Sequence, residues 1–449
     1  SNASSGAFTI YLPVGEYELN LSGDEEDHEE DDSIGDLDIR QDIEIIGGGK
    51  DSTFITASSS LNDRLFEIHL TSVHNVVFSG FTLSGGQADE GAAIYSDHAN
   101  LRLSFVKIEN NTAQESCGGL YINEGSASIE SSVFNNNTTM DGGGGALCTF
   151  WADELSITNS KFSNNSILNG YSYGGALRII HTNTEISDSL FFSNHSNEAS
   201  GGAIGLAHSS VTINRSSFFN NEASGGAAIY AYSNYNDDYS LYIDNSTVSG
   251  NTATGQHHSE YPRGAIEITI NYGPTVISNT TITNNHGAGL AVFSATAQIQ
   301  NSILANNITP ENKECTIISD PTYDPIDANI SSLGFNIIGS PCYVFDAENI
   351  STIDSDTIGT TDNPIDPGLG PLTFVSETWV HPLLDDSIAI DAGKPGICYS
   401  GSGVPFYQDQ TRSPRYRDGN QNGYLRCDIG SYEYVPITET DNGNIPFDN

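Results

Sequence analysis

The chain predicts an all-β fold, a single-stranded right-handed parallel β-helix with an irregular C-terminal capping segment. Three observations carry this. An apolar-x-x-Asn phrase runs from Ile108 to Asn111, Phe134 to Asn137, Phe162 to Asn165, Phe191 to Asn194, Phe218 to Asn221, Val248 to Asn251, Ile282 to Asn285 and Leu304 to Asn307. Its copies stand mostly about 26–30 residues apart, and a period of about 20–50 residues marks a stacked solenoid. A small-small-aliphatic phrase keeps its own register on the same period: Gly118-Gly119-Leu120, Gly144-Gly145-Ala146-Leu147, Gly174-Gly175-Ala176-Leu177, Gly201-Gly202-Ala203-Ile204 and Gly226-Ala227-Ala228-Ile229. Helical periodicity is weak, and the runs between Gly, Asn and Ser alternate as short strands do.

Taken in order, residues 1–7 are a tag remnant (Ser1-Asn2-Ala3) and a short lead. The β-helix is expected over 8–307, with Ile10 to Tyr17, Ile43 to Gly49 and Val76 to Leu83 as early turns. Asp24 to Asp38 holds ten acids and no Lys or Arg. Such a block reads as a solvated insertion, with calcium binding as its second reading. In the repeats, Ile204 and Leu206 share one face of their strand, and the same phase turns Leu147, Leu177, Ile229, Ile266 and Leu290 inward. A second strand follows in each repeat, as in Leu155-Ser156-Ile157, Val211-Thr212-Ile213, Leu241-Tyr242-Ile243 and Ala297-Gln298-Ile299. Asn residues in register can hydrogen-bond to the copies above and below, and the Gly pairs supply positive φ or close backbone approach. The repeat stops after Asn307. Residues 308–435, with four cysteines and most of the prolines, read as the cap, and 436–449 as a polar tail.

A globular core stops growing near ~250–300 residues. A solenoid lengthens at constant width, so 449 residues fit one body. A formal net charge of −43 repels nucleic acid and anionic membrane surfaces. No apolar run is long enough to span a bilayer. Six cysteines in this composition suit a secreted, extracellular or bacterial cell-surface protein, expected as a monomer. Sequence leaves the cysteine connectivity open. Chain context favours Cys315 with Cys342 and Cys398 with Cys427. Cys117 and Cys148 lie about four residues out of phase in neighbouring repeats, too far for a bridge, and are expected free.

Asp418-Gly419-Asn420-Gln421-Asn422-Gly423 places oxygen side chains at alternate positions before a Gly, like the first half of a calcium loop. Ile429 stands where the loop's Glu belongs. The calcium ligands would be Asp418, Asn420, Asn422, Tyr424 and Asp428; the competing reading is a plain Asn/Gly turn. Outward positions collect Tyr95, Tyr121, Phe150, Arg178, Tyr230, Tyr232, Glu267 and Phe293 as a ligand face able to stack sugar rings or protein side chains. The competing reading is cross-strand cover. Glu267 and Asp97 have no acidic partner in register for glycosidase chemistry. His181, His195, His257 and His258 show no metal spacing, and no catalytic residue is assigned.

The two repeated phrases resemble the repeats of chlamydial polymorphic outer membrane proteins. Ile10-Tyr11-Leu12-Pro13-Val14-Gly15-Glu16-Tyr17 resembles the opening turn of pectate-lyase-like right-handed β-helices. Asn301 to Asn307, Asp366 to Leu372, Ser387 to Gly393, Asp409 to Arg412 and Cys427 to Glu433 are similar to the choice-of-anchor Q domain of bacterial surface proteins. These resemblances imply a secreted or surface-displayed β-helix and name no substrate. The expected function is non-catalytic adhesion, with a glycan or a host or cell-surface protein as partner. The alternatives are a polysaccharide lyase or glycoside hydrolase, by analogy of fold, and a purely structural stalk.

Overall fold

The computed structural model describes residues 8–20, 35–58, 61–170, 172–233, 239–255, 261–269, 273–319, 327–347, 350–396 and 398–436. Most of the acidic insertion, His257, His258 and the residues after 436 lie outside them. Among the described residues the chain is all-β without helix. It coils as a parallel β-solenoid whose strands stack into sheets of 22, 13 and 7 strands, here A, B and C.

One turn shows how the sequence makes this shape. Leu120–Asn123 and Ser126–Glu130 lie in sheet A, Val133–Asn135 in B and Thr138–Thr139 in C. Between them the chain bends at Glu124, Ser131 and Asn136, with φ of 53°, 51° and 55°. A single left-handed residue reverses the pleat, so each corner costs one residue. The fourth corner, before the next strand Leu147–Phe150, uses Gly144 at φ 70°.

Register follows the repeats. Phe134, Phe162, Phe191 and Phe218 pair residue for residue and stack inside with ring centroids 4.7–4.9 Å apart. The buried Asn residues form one ladder. Asn111, Asn137, Asn165, Asn194, Asn221, Asn251 and Asn285 each donate through Nδ2 to the Oδ1 of the next copy, at 2.9–3.1 Å. The last copy, Asn307, donates to Glu314 instead.

Two expectations about the C-terminal part are corrected. Parallel strands run on beyond residue 307, through Cys315–Ile318 and Asn329–Gly334 to Thr357–Ile358. The later chain does not sit on the solenoid's end as a cap. It folds back along the outer face of sheet B, where Ile303, Ala305, Ile337, Leu383, Ala389 and Ile429 form a second small core. Fully buried Arg415 fastens it, donating to Asn245 Oδ1 and to the carbonyl of Asp428.

The structure holds the expected Cys315–Cys342 and Cys398–Cys427 bonds. It also bonds Cys117 to Cys148, with Cα atoms 5.4 Å apart, which corrects the expectation of free thiols. Cys117 occupies the corner filled by Gly91 and Gly144 in adjoining turns, and takes φ 62°. A Cβ on Gly144 would lie 2.5 Å from Cys148 Sγ. The left-handed corner therefore swings its Cβ over the first outward position of the strand, and the four-residue offset closes up.

Candidate functional site

Residues two apart on a strand share a face, so in-register stacking turns each outward position of sheet A into a column. The first column runs Glu67, Tyr95, Tyr121, Cys148, Arg178, Gly205, Tyr230, Glu267. The second runs His69, Asp97, Asn123, Phe150, Ile180, Ala207, Tyr232, Thr269, Phe293.

The expected ligand face is partly assembled. Tyr95 and Tyr121 stack at 5.0 Å and Tyr121 meets Phe150 at 5.5 Å. The Arg178 guanidinium lies 4.9 Å over Phe150 and 5.4 Å over Tyr173, and Tyr173 is 6.0 Å from Tyr230. Arg64 covers Tyr95 at 5.1 Å. Rings and guanidinium planes thus alternate across several turns, an arrangement in which cation–π attraction adds to dispersion. Burial and then Asp97 push the Tyr95 hydroxyl up to about 12, so it stays a donor at neutral pH. Burial likewise raises the Tyr121 hydroxyl.

Three expected members stand apart. Glu267 is fully buried and bonded to Arg263. Phe293 sits under that same Arg263 at 5.1 Å. Tyr232 turns its edge to His208 at 5.9 Å.

Beside the second column runs a ridge that the sequence reading did not find. His98, Glu124, Trp151, His181 and His208 fill one left-handed corner in successive turns, with φ of 49–58°. Trp151 is 62% exposed, and its ring lies 3.8 Å from His181, which stacks on His208 at 4.9 Å. The signal was present in the sequence. Each of these residues stands four places after the first inward residue of its strand: Ile94, Leu120, Leu147, Leu177 and Ile204.

Asp97, read as lacking an acidic partner, accepts from Asn123 at 2.8 Å and faces His98 at 2.7 Å and His69 at 3.4 Å. His98 meets Glu124 through its other nitrogen at 2.7 Å. Carboxylates do gather at the N-terminal end of the face, where oxygens of Asp36, Asp38 and Glu67 lie within 4.8 Å of one another. Arg64 sits among them, paired with Glu67 and 3.8 Å from Asp36. Burial, reinforced by Asp63, pushes Asp36 up to about 8. This is a closed charge knot with two of its three acids buried. Burial and then Glu115 raise the Glu90 carboxyl, against the opposing pull of Arg64 and Arg178.

The proposed calcium residues turn their oxygens on backbone amides. Asp418 accepts from the Asn422 and Gly423 amides at 2.8 Å, Asn420 Oδ1 from the Asn422 amide at 3.1 Å, and Asn422 Oδ1 from the Tyr424 amide at 2.9 Å. Asp428 is buried, accepting from the amides of Asp391 and Tyr434, and the Asp391 carboxylate in turn accepts from the loop amides of Gly419 and Asn420.

Against known proteins, a family profile described as the Chlamydia polymorphic membrane protein repeat matches residues 131–149. No curated protein matches the sequence. Among solved structures, the A-module of an Azotobacter vinelandii mannuronan C-5 epimerase is similar at 14% identity and TM-score 0.36, over 80% of this chain and 88% of that one. The catalytic unit of a GH87 alpha-1,3-glucanase from Streptomyces thermodiastaticus gives 14% and 0.35, over 77% and 65%. A PL6 alginate lyase gives 11% and 0.30, over 84% and 86%. The chain is a parallel β-solenoid that contains a stretch similar to a Chlamydia polymorphic membrane protein repeat.

Proposed function

We propose that this chain is a non-catalytic binding protein of the extracellular space or a bacterial surface, and that it holds glycans on the outer face of sheet A. The observation that carries this reading is the exposed Trp151–His181–His208 stack beside the Tyr95–Tyr121–Phe150–Arg178 ladder. Pyranose rings present flat C–H faces that aromatic rings receive, while phenol and guanidinium donors take the hydroxyls. Three disulfides suit an oxidising compartment. Among the described residues no helix is long and apolar enough to cross a membrane.

A glycan array read alongside a reducing-sugar release assay tests this. Binding without product is expected. Trp151→Ala should weaken it about 10-fold or more, as losing an aromatic anchor that the ligand covers does. Product release would instead favour the second reading, a polysaccharide-active enzyme, for which the raised Glu90 carboxyl is the motivating feature.

A further inference from the structure

The C-terminal segment covers only part of sheet B. Its leading hairpin, Thr373–Val375 with Thr378–Val380, ends against Phe219, where Trp379 packs at 5.3 Å. Just beyond this edge lies a cavity of about 460 Å³, inside the ~300–1,000 Å³ range of small-ligand sites. Its floor is the in-register row Val133, Lys161 and Leu190. Phe105 from a solenoid corner and Phe374 from the hairpin line it, 53% and 50% exposed. Ser131 and Asn159, bonded to each other at 3.1 Å, add a hydroxyl and an amide.

The charge of this cavity runs against that of the molecule. The chain has five lysines. Lys107 pairs with Glu109 at 2.7 Å, Lys313 donates to Thr361 at 3.0 Å, and Lys394 lies 5.7 Å over Tyr399. The other two, Lys50 and Lys161, both line the cavity. Among the described residues neither ammonium has a hydrogen bond or an ion pair. Asp188, also in the lining, is held by Arg215 at 2.8 and 2.7 Å and by Arg412 at 3.4 Å. That leaves Glu377 as the lining's uncommitted acid. With Asp188 held by its arginines, two ammoniums against the single carboxylate of Glu377 leave this recess one positive charge in excess, in a chain of formal net charge −43. Walls of low dielectric focus such a field.

We propose that this cavity binds a single carboxylated sugar residue, with its ring against Phe105 or Phe374 and its carboxylate drawn to the ammoniums of Lys161 and Lys50 that line it. The two aromatic walls call for a ring, the lining ammoniums for an anion, and the Ser131–Asn159 rim for hydroxyls. The site is separate from the sheet A face and does not depend on it.

Saturation-transfer NMR and calorimetry on the intact protein test this, with glucuronic acid as probe and glucose and inorganic sulfate as controls. Glucuronic acid should bind, with its ring protons saturated, and glucose should bind about 10-fold more weakly or not at all. Lys161→Gln should weaken binding about 10-fold, as removing one charge-assisted hydrogen bond does, and Lys50→Gln with Lys161→Gln should abolish it. Phe374→Ala should remove the ring saturation. Both lysines lie on the surface, so thermal melts of the variants should match wild type. The proposal is overturned if wild type shows no binding, if glucose binds equally well, or if the double variant still binds. Sulfate binding as tightly with no effect of Phe374→Ala would also overturn it, by showing a bare anion site. Trp151→Ala should leave glucuronic acid binding unchanged. A loss there would move the ligand to sheet A and overturn this site while sparing the proposed function.

Discussion

At the scale of single residues, the solenoid is held by polar side chains that serve the backbone. Asn194 accepts from the Asn165 amide and side chain through Oδ1, and donates to Asn221 and to the Phe162 carbonyl. It is fully buried, so none of these groups can turn to water. Asn194→Ala should cost about 3 kcal/mol, because it leaves several buried donors and acceptors without partners. Asn164→Ala, one place away on the exposed corner, should cost about 1 kcal/mol for the left-handed conformation. Denaturant midpoints of the two variants check this, and equal losses would remove the ladder's role. The Asn ladder was legible because Asn is uncommon in strands and recurs in phase. A second ladder was not. The Ser132, Ser160, Ser189 and Ser216 hydroxyls each accept from the backbone amide of the equivalent position one turn back. They stand two places before each core Phe, but in a Ser-rich chain that spacing does not stand out.

At the scale of elements, what matters is how strands join. Strand register could be read from the sequence because an alternating strand slipped by one residue would put its apolar face in water. The corners could not, because left-handed φ was expected of Gly, yet Trp151, His181 and Arg215 adopt it as well. Tertiary packing on both sides overrides their local preference. The Cys117–Cys148 bond follows from such a corner and spans 31 residues. Replacing both cysteines by serine should lower stability by about 3 kcal/mol, the loop-closure entropy returned to the unfolded chain. Urea unfolding of the double variant against wild type measures it, and an unchanged midpoint would count against the bond.

At the scale of the whole molecule, charge sets the pH response. Burial raises a set of carboxyls in the folded state, among them Glu433 to about 10, Asp36 to about 8, Glu314 to about 7, and Asp244 and Asp428 to about 6, against ordinary values of 3.8 to 4.5. A raised folded value means the native state holds the proton more tightly than the unfolded chain. The stabilisation is then full below about pH 4 and is lost as pH rises through about 6 to 10. Burial lowers His381, which works in the opposite sense with one proton. Self-repulsion at a net charge of −43 also eases on acidification. The melting temperature should therefore rise from pH 8 to pH 5, as calorimetry in matched salt would show. A fall over that interval would contradict the burial of these acids.

The coil, its register and its core were legible in the chain alone, because neighbours along the solenoid axis recur at a nearly constant offset in chain number. The same offset puts Tyr95, Tyr121, Phe150 and Arg178 on one wall. What reaches that wall from outside the period, such as Arg64 and Tyr173, came from the folded molecule. Folding alone laid the C-terminal segment along sheet B and brought Lys50 and Lys161 to the edge of its hairpin. Irregular segments dock by shape and burial against surfaces far away in number, and no spacing in the chain records where they land.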